Sequence, residues 1–326
     1  MTTVGTGTKR RKNEIRAEDV RGTIEPLKGL EFDGAFQVFI TDCKVRNLSP
    51  HSVKYYESRL TEFKQMLEGA GKETDPGKVS LDDIKEVAII PQMERGLKPT
   101  TINNRLRAIR TFFNFLYNEG RITKNPVEKL KLVREKREIV DTFSNEQIRL
   151  LLAQPDLRTF TGQRDFTIML IMLETGVRIR ELCDVTVNDV NLKDGLIMVS
   201  GKNFKQRNLP IQNKTKQQLN RYMQLRGELE TEALLVTIDN TPLTTRQVQQ
   251  RINDYGKRAG IKNVRVSPHT FRHTFARLSI VNGCDAFTLK HILGHSTFEM
   301  TNRYVNMFST EINETHRRTS PVEKLL

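Results

Sequence analysis

The 326-residue sequence has no apolar run near the ~18 residues that a membrane-crossing helix needs. Its first residues are polar and lack the apolar core of a secretory signal, so a cytoplasmic, nucleoid-associated location is expected. Cysteine is scarce. Cys43, Cys183 and Cys284 are odd in number, far apart and in helical contexts, which argues against a disulfide framework or a zinc site and for reduced core thiols. Tryptophan is absent, which bears on no function, and there is no internal repeat or low-complexity segment. Acidic residues are in deficit: 39 Asp and Glu stand against 53 Lys and Arg, a formal net charge of +14. A surplus of that size favours a polyanionic partner, nucleic acid ahead of an anionic membrane.

What is present reads as a mainly α chain with a small antiparallel β-sheet, long enough for two domains. Residues 1–30 read as a flexible basic arm, with Lys9-Arg-Arg-Lys12 beside no apolar period. Residues 31–125 read as a helical bundle. Ser49-Pro50 opens a helix with Val53, Tyr56, Leu60, Phe63 and Leu67 on one stripe. Ser80 opens another, through about Glu94, and Pro99 a third, with Ile102, Leu106, Ile109, Phe113 and Leu116 buried. Arg105, Arg107 and Arg110 lie on that helix's other faces; the overall charge assigns them to phosphate contact in preference to a solvated face. Residues 126–143 read as a basic interdomain linker, its Lys129, Lys131, Arg134, Lys136 and Arg137 placed along a nucleic-acid backbone.

The second domain, 144–307, starts at the capping box Ser144-Asn-Glu-Gln147. Asp165–Thr175 is apolar nearly all round, and Gly176 ends that helix. Strands are expected at 187–192, 196–200 and 208–211, with Asp194-Gly195 turning the first hairpin and a basic turn, Gly201 to Arg207, leading to the third. Lys205 and Arg207 of that turn are further candidates for DNA contact. A helix near Lys214–Arg226 follows, then one after the Thr244–Gln247 capping box. Residues 308–326 form a tail whose terminal apolar residues need a docking site, a neighbouring subunit being the candidate.

The chemistry gathers in Ser267–Tyr304. Ser267-Pro268 reads as N-cap and first helical residue. His269 and Arg272 then share the face of a first turn whose free N–H groups suit an anion. Gly294 reads as a helix-ending glycine, and Ser296-Thr-Phe-Glu299 as a capping box that starts the next helix, so His295 sits in a tight joint and Tyr304 about two turns beyond. With Arg178 and Lys202 these residues make a set. Two arginines can clamp the non-bridging oxygens of a phosphodiester, and a lysine can protonate an alkoxide. A histidine can move a proton near neutral pH, and a tyrosine beside a base and cations becomes a nucleophile. Phosphoryl transfer needs little beyond such positioning and charge, so neither metal nor other cofactor is expected. The His269–His273 pair lacks the glutamate of a zinc HExxH motif.

Four stretches in order resemble the boxes of the tyrosine recombinase (phage-integrase) family. TGVRIRE (175–181) is similar to its first arginine box and GKNFKQRNLPI (201–211) to its hairpin lysine segment. HTFRH (269–273) matches its H-x-x-R box, and LGHSTFEMTNRY (293–304) is similar to its final box. The resemblance implies a helical core-binding domain followed by an α+β catalytic domain, together forming a clamp round double-stranded DNA. Tyr304 would attack a phosphodiester to give a 3′-phosphotyrosyl link and a free 5′-hydroxyl, without metal or ATP. Arg178, Arg272 and His295 would hold the phosphate, His269 would act as general base, Lys202 would protonate the 5′ oxygen and Glu181 would buttress the arginines. Asn203 and Phe204 depart from the family's hairpin pattern, so Lys205 competes with Lys202, which is favoured by its place after Gly201. His273 inherits no catalytic role and is expected to be structural. The implied assembly is a homotetramer on two DNA sites, with an accessory directionality or host DNA-bending protein. The expected function is site-specific recombination as the integrase or transposase of a mobile element. The alternatives are a Xer-like chromosome-dimer resolvase, a type IB topoisomerase-like enzyme and a non-catalytic DNA-binding regulator.

Overall fold

Short polar residues set the helix starts. In a computed structural model, which describes residues 31–135, 140–201, 206–294 and 297–308 with Ser320 and Val322, these caps divide the chain into a series of helices. The described residues fall into two units, one up to Glu135 and one from Val140.

The first unit is five helices: α1 (Phe32–Val45), α2 (Pro50–Gly69), α3 (Leu81–Ala88), α4 (Ile90–Glu94) and α5 (Pro99–Asn118). Ser49 accepts a bond from the Ser52 N–H, and Ser80 and Asp83 form a reciprocal capping box, so a free N–H group in the first turn of each of α2 and α3 is satisfied locally. The helix expected over 80–94 is two, because Pro91 cannot donate in the ladder and the chain breaks at Ile89. The stripe on α5 is buried as its spacing requires. Phe32, Phe39, Phe63, Phe112 and Phe113 form a net of tilted and edge-on rings at its centre. The expected linker is partly core: Val127 and Leu130 are buried in this unit, and Asn103 bonds to both the N–H and the carbonyl of Val133. Apolar residues spaced three apart inside a charged run account for the difference.

The second unit begins with Phe143, fully buried against Phe271, ahead of α6 (Asn145–Leu152). Then come α7 (Phe160–Thr175), α8 (Ile179–Cys183), a sheet, α9 (Asn213–Arg226), α10 (Thr245–Arg258), α11 (Pro268–Val281), α12 (Ala286–Leu293) and α13 (Phe298–Phe308). Helix α7 runs through the middle and packs on α9 and α11. Its buried Asp165 accepts from Arg164, Arg251 and the Tyr255 hydroxyl, which ties α7 to α10. The sheet is antiparallel in the order β1 (Val190–Asn191), β2 (Leu196–Ser200), β3 (Gln206–Pro210), with Ile197 opposite Leu209. Ile197, Val199 and Leu209 point inward. The first expected strand is mostly a 3₁₀ turn, because the Asp189 carboxylate folds back on the Thr186 N–H and hydroxyl. Cys43, Cys183 and Cys284 are free thiols.

Gly176 ends α7 in the left-handed region, at φ 60°, and a Cβ there would lie 2.4 Å from Phe275 Cδ1 and 2.8 Å from Leu293 Cδ2. Strain and overpacking add, so Gly176→Ala is expected to destabilise the second unit by about 2–4 kcal/mol, read from the urea midpoint of unfolding at unchanged m-value.

Candidate active site

The site grows from two helix ends. The C-terminal carbonyls of an α-helix have no partners within it and carry the negative end of its dipole, so they suit cations. At the end of α7 the Gly176 carbonyl accepts from Arg272 Nη1 at 2.7 Å, and at the end of α12 the Leu293 carbonyl accepts from Arg272 Nη2 at 2.8 Å. Gly294, which closes α12 at φ 63°, offers its carbonyl to Arg178 Nη2 at 3.3 Å. A Cβ on Gly294 would lie 2.9 Å from the guanidinium carbon of Arg207. Three guanidinium groups thus surround one joint between helices.

One carboxylate organises them. Glu181, on the first turn of α8, accepts from Arg178 Nη1 at 2.8 Å and from Arg207 Nη2 at 2.8 Å. It also accepts from the Arg178 backbone N–H, which fixes the start of α8. Burial raises the Glu181 pKa, but the Arg207 and Arg178 guanidinium groups outweigh it and hold the carboxyl below the ordinary glutamate value of 4.5. Arg272 is only 6% exposed; desolvation, then the nearby charge of Arg178, brings its pKa down to about 10, so it stays cationic at neutral pH. Three cations against one anion leave the cluster positive, a ready site for a phosphate monoanion.

His269 sits at the start of α11, whose N-cap Ser267 accepts from the Thr270 N–H. It is exposed at the surface, yet neighbouring protein partly desolvates the ring, and with Arg272, Arg265 and Arg178 nearby its pKa is held below 6.5. Its imidazole is therefore neutral at physiological pH. Tyr304, on α13, is 5% exposed and packs in a small cluster with Ala276, Leu289 and Leu293. Its hydroxyl lies 2.7 Å from Nδ1 of His273, and among the described residues no hydrogen bond joins it to His269. Sequence reading set His273 aside as structural; its position one turn beyond His269 on α11 was the available signal. Lys202, Lys205 and His295 lie outside the described residues, as do Lys136, Arg137 and residues 1–30.

Three of the arginines expected on DNA are turned inward. Arg207 is buried against Glu181 and the Ile292 carbonyl, so its donors are spent inside the protein. Arg105 forms a two-pronged pair with Glu62 and reaches Gln92. Arg110 donates to the Leu130 carbonyl. A carboxylate or carbonyl supplied by a distant residue competed for each, which helical spacing alone does not reveal. Arg107, Lys129, Lys131 and Arg134 are exposed.

Residues 141–311 match the Phage integrase family, and residues 39–120 match the Phage integrase N-terminal SAM-like domain. The chain belongs to this family of tyrosine recombinases and is a site-specific recombinase. Among its relatives, the tyrosine recombinase XerC of Thermodesulfovibrio yellowstonii is 31% identical over 285 residues, covering 85% of this chain and 92% of the relative. The tyrosine recombinase XerD of Staphylococcus haemolyticus is 31% identical over 234 residues, covering 70% of this chain and 79% of the relative. The fold is shared with the Tn1549 transposon integrase in complex with transposon right end DNA, at TM-score 0.70, 21% identity and coverage of 88% and 99% of the two chains. It is shared also with a lambda integrase tetramer bound to a Holliday junction, at TM-score 0.71, 16% identity and coverage of 86% and 79%.

The Glu181 contribution to stability is full above the ordinary carboxyl pKa of 4.5 and is lost as pH falls through the lower value that it has when folded. Glu181→Ala is expected to cost about 3–5 kcal/mol at neutral pH, because the Arg207 charge stays buried without its partner. The gap between variant and wild type should narrow as urea melts are taken below pH 4.5.

Proposed function

We propose that this recombinase cuts and rejoins duplex DNA through a 3′-phosphotyrosyl intermediate with Tyr304 as nucleophile. The single observation that carries the reading is the positive cluster of Arg178 and Arg272, fixed on two helix ends, with Tyr304 close enough to bear on the charge of Arg272. A phosphodiester brought to this cluster finds forked donors for its non-bridging oxygens and an aromatic hydroxyl beside them. His269, neutral and exposed, presents a ring N–H to the same phosphate or takes the base role that the resemblance gives it. His295 adds a further donor, and Lys202, or Lys205 in its place, protonates the 5′ oxygen. Because the link conserves the bond energy, a 5′-hydroxyl from another strand reverses the step and exchanges partners, with no need for a metal or ATP.

The biological setting we infer is a mobile element, as its integrase or transposase, on the strength of the basic stretch Lys9-Arg-Arg-Lys12 ahead of the helical unit. A Xer-like chromosome-dimer resolvase is the second reading, favoured by the XerC and XerD relatives at 31% identity. Assignment of 31–125 to core binding and 144–307 to catalysis follows the same reading. So does a homotetramer on two DNA sites in which the tail after residue 307 docks on a neighbouring subunit, with an accessory directionality or DNA-bending protein. Exposed Arg107, Lys129, Lys131 and Arg134 are assigned to the DNA backbone. Each such phosphate contact, when removed, is expected to lower the salt slope of DNA binding by about 1.

With nicked suicide substrates, the wild type should trap a covalent DNA adduct that Tyr304→Phe cannot form at unchanged DNA affinity. An adduct of equal yield from the variant overturns the nucleophile assignment. Deletion of the residues after Met307 should spare binding to a single site and abolish synaptic tetramers in native gels; tetramers from the shortened chain would remove the docking proposal.

A further inference from the structure

On the reading that Tyr304 is the nucleophile, we propose that its proton leaves to His273, one helical turn beyond His269, and that His273 is therefore a catalytic residue of the cleavage step. Helices α11 and α13 pack together, and they bring the Tyr304 hydroxyl to 2.7 Å from Nδ1 of His273, with ring centroids 5.6 Å apart. A general base has to lie within about 2.6–3.2 Å of the proton that it takes, and His273 meets that distance. His269 is a neighbour on the same helix face, but its described contacts do not include the tyrosine.

Donor and acceptor follow from acid strength. A phenolic O–H is a better donor than a neutral imidazole N–H, and the unprotonated ring nitrogen is a better acceptor than a phenol oxygen. The bond therefore runs from Tyr304 Oη–H to Nδ1, and the ring proton of His273 resides on Nε2. Tyr304 is 5% exposed, so water competes little for this hydrogen bond, and a hydrogen bond held out of water is the stronger for it. The geometry also fixes the phenol's torsion ahead of DNA binding, which lowers the orientational cost of attack.

In the step itself Oη bonds to phosphorus and the phosphorus–O5′ bond breaks. The phenolic proton passes to Nδ1 of His273, and the 5′ oxygen takes a proton from the hairpin lysine assigned as general acid. On rejoining, the 5′-hydroxyl gives its proton back to the lysine as its oxygen bonds to phosphorus, the phosphorus–Oη bond breaks, and His273 returns its proton to Oη. His269 is then left to bond the phosphate as a neutral N–H donor, which suits a histidine whose neighbours are cations.

His273→Asn separates holding from proton transfer, because the Asn side-chain oxygen stands where Nδ1 stood and accepts the hydrogen bond but cannot take up the proton. Single-turnover formation of the covalent adduct on a suicide substrate should fall about 10²–10³-fold in this variant, with DNA affinity and thermal midpoint unchanged. In His273→Ala, added imidazole should restore adduct formation in a concentration-dependent way; in Tyr304→Phe it should restore none. Cleavage by His273→Asn at the wild-type rate or faster overturns the proposal, and so does a His273→Ala enzyme that imidazole leaves unchanged. An adduct in Tyr304→Phe would instead overturn the assignment of the nucleophile, and the two failures are told apart by that variant alone.

Discussion

The second unit depends on how one buried guanidinium is held. Arg272 is almost wholly desolvated, a state that costs several kcal/mol unless the charge is partnered. Its partners are the carbonyls of Gly176 and Leu293, at the C-terminal ends of two separate helices. Carbonyls in that position are unsatisfied within their own helices and carry the negative end of the dipole. They hold the cation without neutralising it, as a second carboxylate would, and so leave a net positive charge for an anion to meet. Arg178 extends the device through the Gly294 carbonyl, and Glu181 limits the repulsion by pairing with both Arg178 and Arg207.

Arg207 shows the cost of this arrangement. A third guanidinium, buried and spent on Glu181 and the Ile292 carbonyl, does no evident binding of its own. It offsets the desolvation of Glu181 and fastens β3 to the end of α12, against which Gly294 leaves no room for a side chain. The sheet is thereby tied to the end of α12 by a hydrogen bond and to α8 by a salt bridge inside the protein.

Much of this was legible in the chain. Caps at Ser49, Ser80, Ser144, Thr244 and Ser267, and the glycines at 176 and 294, mark local events that depend on a few neighbouring residues, and the structure has them where the sequence places them. The two arginines and Glu181 were legible for the same reason, since each follows a helix boundary. What was not legible depended on distant pairing. Whether Arg105 or Arg110 faces solvent is settled by Glu62 and by the Leu130 carbonyl, which spacing on α5 does not encode. The packing of 127–133 on the first unit was hidden by the charge around Val127 and Leu130. The contact between His273 and Tyr304 joins residues 31 apart in sequence through the crossing of α11 and α13, and only the fold could supply it.

Leu293 connects the Arg272 guanidinium to Tyr304. Its carbonyl binds Arg272, while its side chain lies in the apolar cluster that packs Tyr304 and fills the space beside Gly176. A shift at the end of α12 therefore moves the cation and the aromatic ring together. Interiors packed this densely transmit such shifts instead of absorbing them. One residue's backbone and side chain thus touch both the guanidinium and the cluster around the phenol, with His273, adjacent to Arg272 on α11, completing the triangle. An aromatic hydroxyl carried on a separate loop would need its own restraint. Here α11 supplies both Arg272, bonded to the Leu293 carbonyl, and His273, bonded to the phenol, so the guanidinium and the hydroxyl are referred to a single rigid element.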